Sequence, residues 1–183
     1  KGKFLKSSLF LIDFIGKDFK TSTNFSLANG SFHRNLDESS CFSLTQDIPI
    51  NFTGEFFIPG KSEERIEADH MERYHFACEF AQGKSILDIA CGVGYSAPLF
   101  INTGAVSYVG VDINEKLIKY ANQTYGSDCI SYHLGDICTF HNTKTYDIIT
   151  CFETIEHIED YNGAINNLYS LLNRKGILFI SSP

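Results

Sequence analysis

The run SILDIACGVGYSAPLF, residues 85–100, constrains this chain more than any other stretch. An unbroken apolar segment meets an aspartate at Asp88, then Gly92 and Gly94, and passes straight into a helical pattern. A continuously apolar strand needs cover on both faces, and a glycine turn feeding a helix is where open α/β sheets place a ligand. The segments that follow keep the same alternation. SYVGVDI is a second strand, Asn114 caps a helix over EKLIKYANQTYG, CISYHLGD is a third strand and YDIITCFE a fourth. DYNGAINNLYSLLNRKG reads as an amphipathic helix with Arg174 and Lys175 in its last turn, and ILFISS as a fifth strand. Ahead of the first strand, SEERIEADHMERYHFACEFAQG has apolar residues at helical spacing and ends at Gly83, a good C-cap. Strands separated by single helices define an α/β class, doubly wound around a mostly parallel sheet.

Composition narrows the function classes. At 43% hydrophobic and 14% aromatic, 183 residues can bury one core. A net charge of −7 provides no basic stripe, so nucleic acid is not an expected partner. Cys41, Cys78, Cys91, Cys129, Cys138 and Cys151 contain no C-x-x-C pair. They read as reduced thiols of a cytoplasmic protein, with neither a disulfide frame nor a metal site expected. In that setting the sequons at Asn24, Asn29, Asn51 and Asn122 carry no weight. The opening KGKFLKSSLFLIDFIGK has the flavour of an export signal, but Asp13 interrupts it and no small-residue cleavage site follows. It is also shorter than the roughly 18 apolar residues a bilayer span requires, so membrane insertion is not expected. The chain opens on Lys1 and is expected to start inside a longer reading frame. Residues 1–50 show no clear period and form a poorly defined segment; residues 51–183 form the ligand-binding domain.

In a doubly wound sheet the chemistry lies just past the strand ends. There the sequence places Asp88, Ala90, Gly92 and Gly94 after strand one, Asp112 after strand two, Asp136 after strand three, and Glu153, Glu156 and His157 after strand four. Two cofactors compete for this crevice. GVGYSA satisfies the G-x-G-x-x-A pattern and Asp112 follows about 20 residues after Gly92, as in NAD-dependent oxidoreductases. A pyrophosphate would, however, sit beside Asp88 with no Lys or Arg near the turn to offset the repulsion. S-adenosylmethionine has ammonium and sulfonium cations and no phosphate, and suits an acidic crevice. Taken singly, Asp112 and Asp136 also fit plain turn or helix-cap roles.

Motif by motif and in order, ILDIACGVGYSAPLF, YVGVDIN, YHLGDI, YDIITCFETIEHIED and LLNRKGILFISSP resemble the class I S-adenosylmethionine-dependent methyltransferases. The lead-in FTGEFFIPG, followed by EADHMERYHFA, resembles bacterial members encoded beside surface-glycan genes. The resemblance implies a Rossmann-like fold, expected here to stop after strand five with its C-terminal strands missing. It also implies a methyl acceptor that is a small molecule or glycan, leaving the oligomeric state open. It further implies that Asp88, Ala90, Gly92 and Gly94 hold the methionine amino group, Asp112 the ribose hydroxyls, and Ile113 the adenine face. Asp136 and the Ile137 backbone would meet the adenine edge, Cys151 or Phe152 the methionine arm, and Arg73 or Tyr74 its carboxylate; for Tyr74 a core position is expected instead. Glu153, Glu156 and His157 are the catalytic candidates, His157 as base toward an acceptor hydroxyl, the alternative being that Glu156 and His157 merely cap the next helix. A non-catalytic cofactor-binding remnant is the remaining reading.

Overall fold

A computed structural model describes Ser8–Asp13, Lys20–Phe25 and residues 64–182. Cys41, His33, the sequons at Asn29 and Asn51 and the expected boundary near residue 50 lie outside the described residues. The elements are β1 (Ser8–Asp13), β2 (Lys20–Phe25), α1 (Glu64–Cys78), β3 (Ser85–Ile89), α2 (Ser96–Asn102), β4 (Ser107–Asp112) and α3 (Glu115–Tyr125). They are followed by β5 (Ile130–Leu134), β6 (Tyr146–Phe152), a single 3-10 turn (Ile155–His157), α4 (Tyr161–Leu171) and β7 (Leu172–Ser182).

One sheet runs β2-β1-β7-β6-β3-β4-β5. The five strands from β7 to β5 are parallel, as the alternation of strand and helix predicts. The period of two sorts their side chains between two layers. Ile86, Tyr108, Tyr132 and Ile148 pack under α1, α2 and α3 with Tyr74, Ala77, Phe100, Leu117 and Ala121. Leu87, Ile89, Val111, Ile149, Cys151 and Leu178 face the opposite side, against Ala164, Leu168 and Leu171 of α4. Both faces are therefore apolar, and the strands read as unbroken hydrophobic runs.

Two findings differ from the sequence reading. First, α4 ends at Leu171, and Arg174 and Lys175 stand on β7, not in a last helical turn. The chain turns extended at Leu172 (ψ 138°) because its neighbour is already claimed: Leu172 pairs with Tyr146, and Asn173 donates to Asp147 Oδ1 at 2.8 Å. Second, residues 1–50, to which no element was assigned, contribute β1 and β2. β1 lies antiparallel along β7, Ser8 opposite Ser182 through Asp13 opposite Ile177, and β2 pairs antiparallel with β1. The edge of the fifth parallel strand is thus paired by the N-terminal hairpin.

Candidate functional site

Chain order reverses at β3. From β3 the chain winds outward through β4 to β5, then crosses back to β6 and β7 on the other side. The crevice past the carboxyl ends of β3 and β6 is the switch point at which such sheets bind ligands. Among the described residues, the two non-glycine residues with positive φ both lie there: Ala90 (60°) directly follows β3 and Glu153 (48°) directly follows β6. Backbone held in this sparsely populated region concentrates at functional sites.

The glycine turn is built from the sheet outward. Ala90, Gly92 (φ 57°) and Gly94 (φ 79°) take left-handed conformations at alternate positions, and Gly94 N–H closes the turn on the Cys91 carbonyl at 3.0 Å. Asp112, at the end of β4, ties the turn to its neighbour: Oδ2 accepts from Gly92 N–H at 2.9 Å and Oδ1 from Asn114 N–H at 2.8 Å. Burial raises the Asp112 carboxyl above its ordinary value, opposed by these backbone donors. Asn114, not Asp112, caps α3, accepting from Lys116 N–H at 3.0 Å. Past Asp112, Ile113 is 72% exposed, and Leu134 at the end of β5 is 55% exposed. Two large exposed apolar side chains thus stand at adjoining strand ends. Asp136 is half-buried in its turn, its Oδ1 accepting from Cys138 N–H at 2.7 Å, while the Ile137 side chain is buried.

Asp88 is placed differently from a surface contact. It has no exposed surface, and its carboxylate accepts from the hydroxyls of Ser96 (2.6 Å), Thr150 (2.6 Å), Tyr108 (2.7 Å) and Tyr74 (3.1 Å). Desolvation raises its pKa and the four hydroxyls pull it back. Sequence reasoning assigned no role to Ser96, Tyr108 or Thr150. The period of two was the available signal, because it puts Asp88 and Thr150 on the same face of neighbouring strands. The same rule puts Cys151 on the other face, under α4 with no exposed surface, its thiol pushed up to about 12 by burial. Phe152 returns to the α1 side and meets Tyr74 edge-on at 5.0 Å. Tyr74 is in the core, as expected from its spacing.

At the β6 end the three catalytic candidates are not gathered into one cluster. Glu153 turns toward Arg73 of α1: Oε1 lies 3.3 Å from the guanidinium and accepts from Ser181 Oγ at 2.8 Å. Arg73 is buried and Ser181 has no exposed surface. His157 sits in the 3-10 turn with a side chain 77% exposed, and its Nε2 lies 3.9 Å from Glu156 Oε1. Neither Glu156 nor His157 caps α4. That position belongs to Asp160, which accepts from Gly163 N–H at 2.8 Å. Among the described residues, no three His, Cys, Asp or Glu side chains are grouped to hold a metal ion.

The residues fit an adenosyl cofactor. Gly92 has open space where a Cβ would stand, the neighbouring strand ends present a carboxylate and exposed apolar side chains, and no Lys or Arg occurs from Ser85 to Glu115. Fold and site together define a Rossmann-like domain of the class I methyltransferase type. A family profile described as a methyltransferase domain matches residues 63–183, and the chain belongs to that family. The cofactor of this class is S-adenosylmethionine.

Similar curated proteins include the ubiquinone biosynthesis O-methyltransferase of Coxiella burnetii, 35% identical over 104 residues, covering 55% of this chain and 44% of that protein. The enzyme of the same name from Glaesserella parasuis is 32% identical over 108 residues, covering 55% and 45%. The chain thus spans less than half the length of these relatives. Among solved structures, the N-methyltransferase NodS from Bradyrhizobium japonicum in complex with S-adenosyl-L-homocysteine shares the fold. It is 20% identical with a TM-score of 0.60, covering 74% of this chain and 67% of that one. Magnesium protoporphyrin IX methyltransferase from Synechocystis, with the same molecule bound, is 23% identical with a TM-score of 0.53, covering 62% and 58%.

Proposed function

We propose that this chain transfers the methyl group of S-adenosylmethionine to a hydroxyl oxygen of a small molecule or glycan in the cytoplasm. The observation that carries the reading is the Asp112 carboxylate bonded to the glycine turn at 2.9 Å beside a crevice whose turn contains no basic side chain. Such a site favours a cationic, phosphate-free adenosyl ligand over a dinucleotide. When bound, the cofactor supplies an electrophilic methyl carbon on a sulfonium leaving group. Each oxygen of Asp112 already accepts one backbone N–H and retains a lone pair for a ribose hydroxyl. Ile113 and Leu134 would cover the adenine, and Asp136 with the Ile137 backbone would meet its edge. Asp88 is enclosed by hydroxyls, so it acts on the cofactor's cationic arm through its field, while Ala90 and Gly94 shape the backbone that the arm follows. Arg73 holds Glu153 in place, and the same guanidinium would be the partner of the methionine carboxylate.

His157 takes the proton from the acceptor hydroxyl, with Glu156 orienting the imidazole. With the cofactor bound, these residues would hold the acceptor hydroxyl in line with the methyl carbon, and that alignment would supply most of the rate. Oxygen is chosen over nitrogen because the curated relatives are named O-methyltransferases.

Calorimetric titration tests the reading. S-adenosylhomocysteine is expected to bind and NAD is not. Asp112→Ala should weaken binding by about tenfold or more, the scale of losing charge-assisted hydrogen bonds. His157→Ala should lower turnover and leave S-adenosylhomocysteine affinity nearly unchanged. Binding of NAD in place of S-adenosylhomocysteine would overturn the assignment.

A further inference from the structure

Tyr132 reaches the glycine turn from the edge of the sheet, two strands away from β3. It stands on β5, the edge strand, opposite Gly110 of β4, and is 4% exposed. Its hydroxyl donates to the Gly94 carbonyl at 2.7 Å, which also accepts from Ala97 N–H at 3.3 Å where α2 begins. The ring runs through a slot that two glycines leave open. A Cβ on Gly110 would come within 2.5 Å of ring carbon Cδ1, and one on Gly94 within 2.5 Å of Cε1. Tyr108 packs against the ring at 5.7 Å. The backbone of Tyr132 is fixed in turn by Asn122 of α3, whose side-chain amide donates to the Tyr132 carbonyl at 2.9 Å and accepts from its N–H at 3.3 Å. A hydrogen-bonded path therefore runs from α3 through Tyr132 to the turn after β3.

We propose that Tyr132 is a positioning residue for S-adenosylmethionine binding, its hydroxyl fixing the Gly94 peptide and with it the shape of the glycine turn that the cofactor meets. This rests on the reading of that turn as the cofactor site. Asp112 orients the turn at Gly92 and Tyr132 orients it two residues later, so both ends of the Gly92–Gly94 stretch are held by side chains, one from β4 and one from β5 beyond it. Burial pushes the phenol up from its ordinary value, which keeps it protonated and a donor.

The test compares the intact chain with Tyr132→Phe, which keeps the ring and removes the donor. S-adenosylhomocysteine affinity is expected to fall by about five- to tenfold, the scale of one hydrogen bond, beside a small fall in melting temperature from the lost buried bond. A residue that serves stability alone would shift the melt and leave affinity intact. Hydrogen exchange supplies a second measurement on the unsubstituted protein: S-adenosylhomocysteine should slow exchange in residues 91–97 and in residues 130–134 together. If Tyr132→Phe binds within twofold of the parent, or if the ligand protects the turn and leaves 130–134 unaffected, the positioning role is overturned while the cofactor site stands. If the parent chain itself does not bind S-adenosylhomocysteine, the site reading falls and this role falls with it.

Discussion

Asp88 is ringed by hydroxyl groups from α1, α2, β4 and β6, and this arrangement has a pH signature. Burial raises its pKa above the ordinary carboxylate value despite the four donors. Between those two values the native state keeps a proton that the unfolded chain has released. Stability contributed by this group is therefore greatest below that window and falls as pH rises through it. Thermal melts of the parent and Asp88→Asn over roughly pH 4 to 8 isolate the contribution, because the amide does not ionise. The parent is expected to lose stability relative to the variant as pH rises. Parallel curves would show that Asp88 ionises as freely in the native state as in the unfolded chain.

Two consecutive residues attach α1 to the strand ends: Arg73 to Glu153 after β6 and Tyr74 to Asp88 on β3. Removing one member of a buried ion pair leaves the other uncompensated. Glu153 keeps 20% of its side chain exposed, so the cost is discounted for screening. Arg73→Met is expected to destabilise the protein by about 2 kcal/mol in urea unfolding, and Arg73→Met/Glu153→Gln to recover part of that loss. A double variant no more stable than the single one would show that the pair is not the source. Element types around the crevice were legible because alternating strands and helices leave a strong signal in apolar runs and caps. The details that failed depend on neighbours distant in sequence. Arg174 and Lys175 look like a helix C-terminus locally, but pairing of Leu172 with Tyr146 draws the chain into a strand. In sequence Asp88 and Cys151 stand beside crevice residues, yet both precede the turns and obey the period of the strand, which buries them on opposite faces of the sheet. Glu153 stands near Glu156 and His157 in sequence, and only the fold shows its side chain against Arg73 and Ser181.

For the whole molecule, the decisive contact is β1 on β7. ILFISS is apolar along most of its length, and an open apolar edge recruits other strands. With β1 in place that edge is paired, and this chain is expected to remain monodisperse in light scattering. Removing residues 1–25 should expose β7, lower the melting temperature and produce dimers or larger aggregates. A shortened chain that stays monomeric and melts as high as the parent would show that the hairpin contributes little to the sheet.

The same contact sets an order of events during synthesis. Ser8 pairs with Ser182, about 170 residues further along the chain, so β1 leaves the ribosome well before its partner β7 is made. At roughly 5–20 residues per second, β1 waits on the order of 10 s or more for β7, while β3, β4 and β5 can already assemble. β2 follows at once and can pair one edge of the apolar SLFLID strand, but its other edge stays open until β7 is made. Slower elongation lengthens that wait, so the yield of folded protein is expected to fall as translation of the segment between β1 and β7 slows.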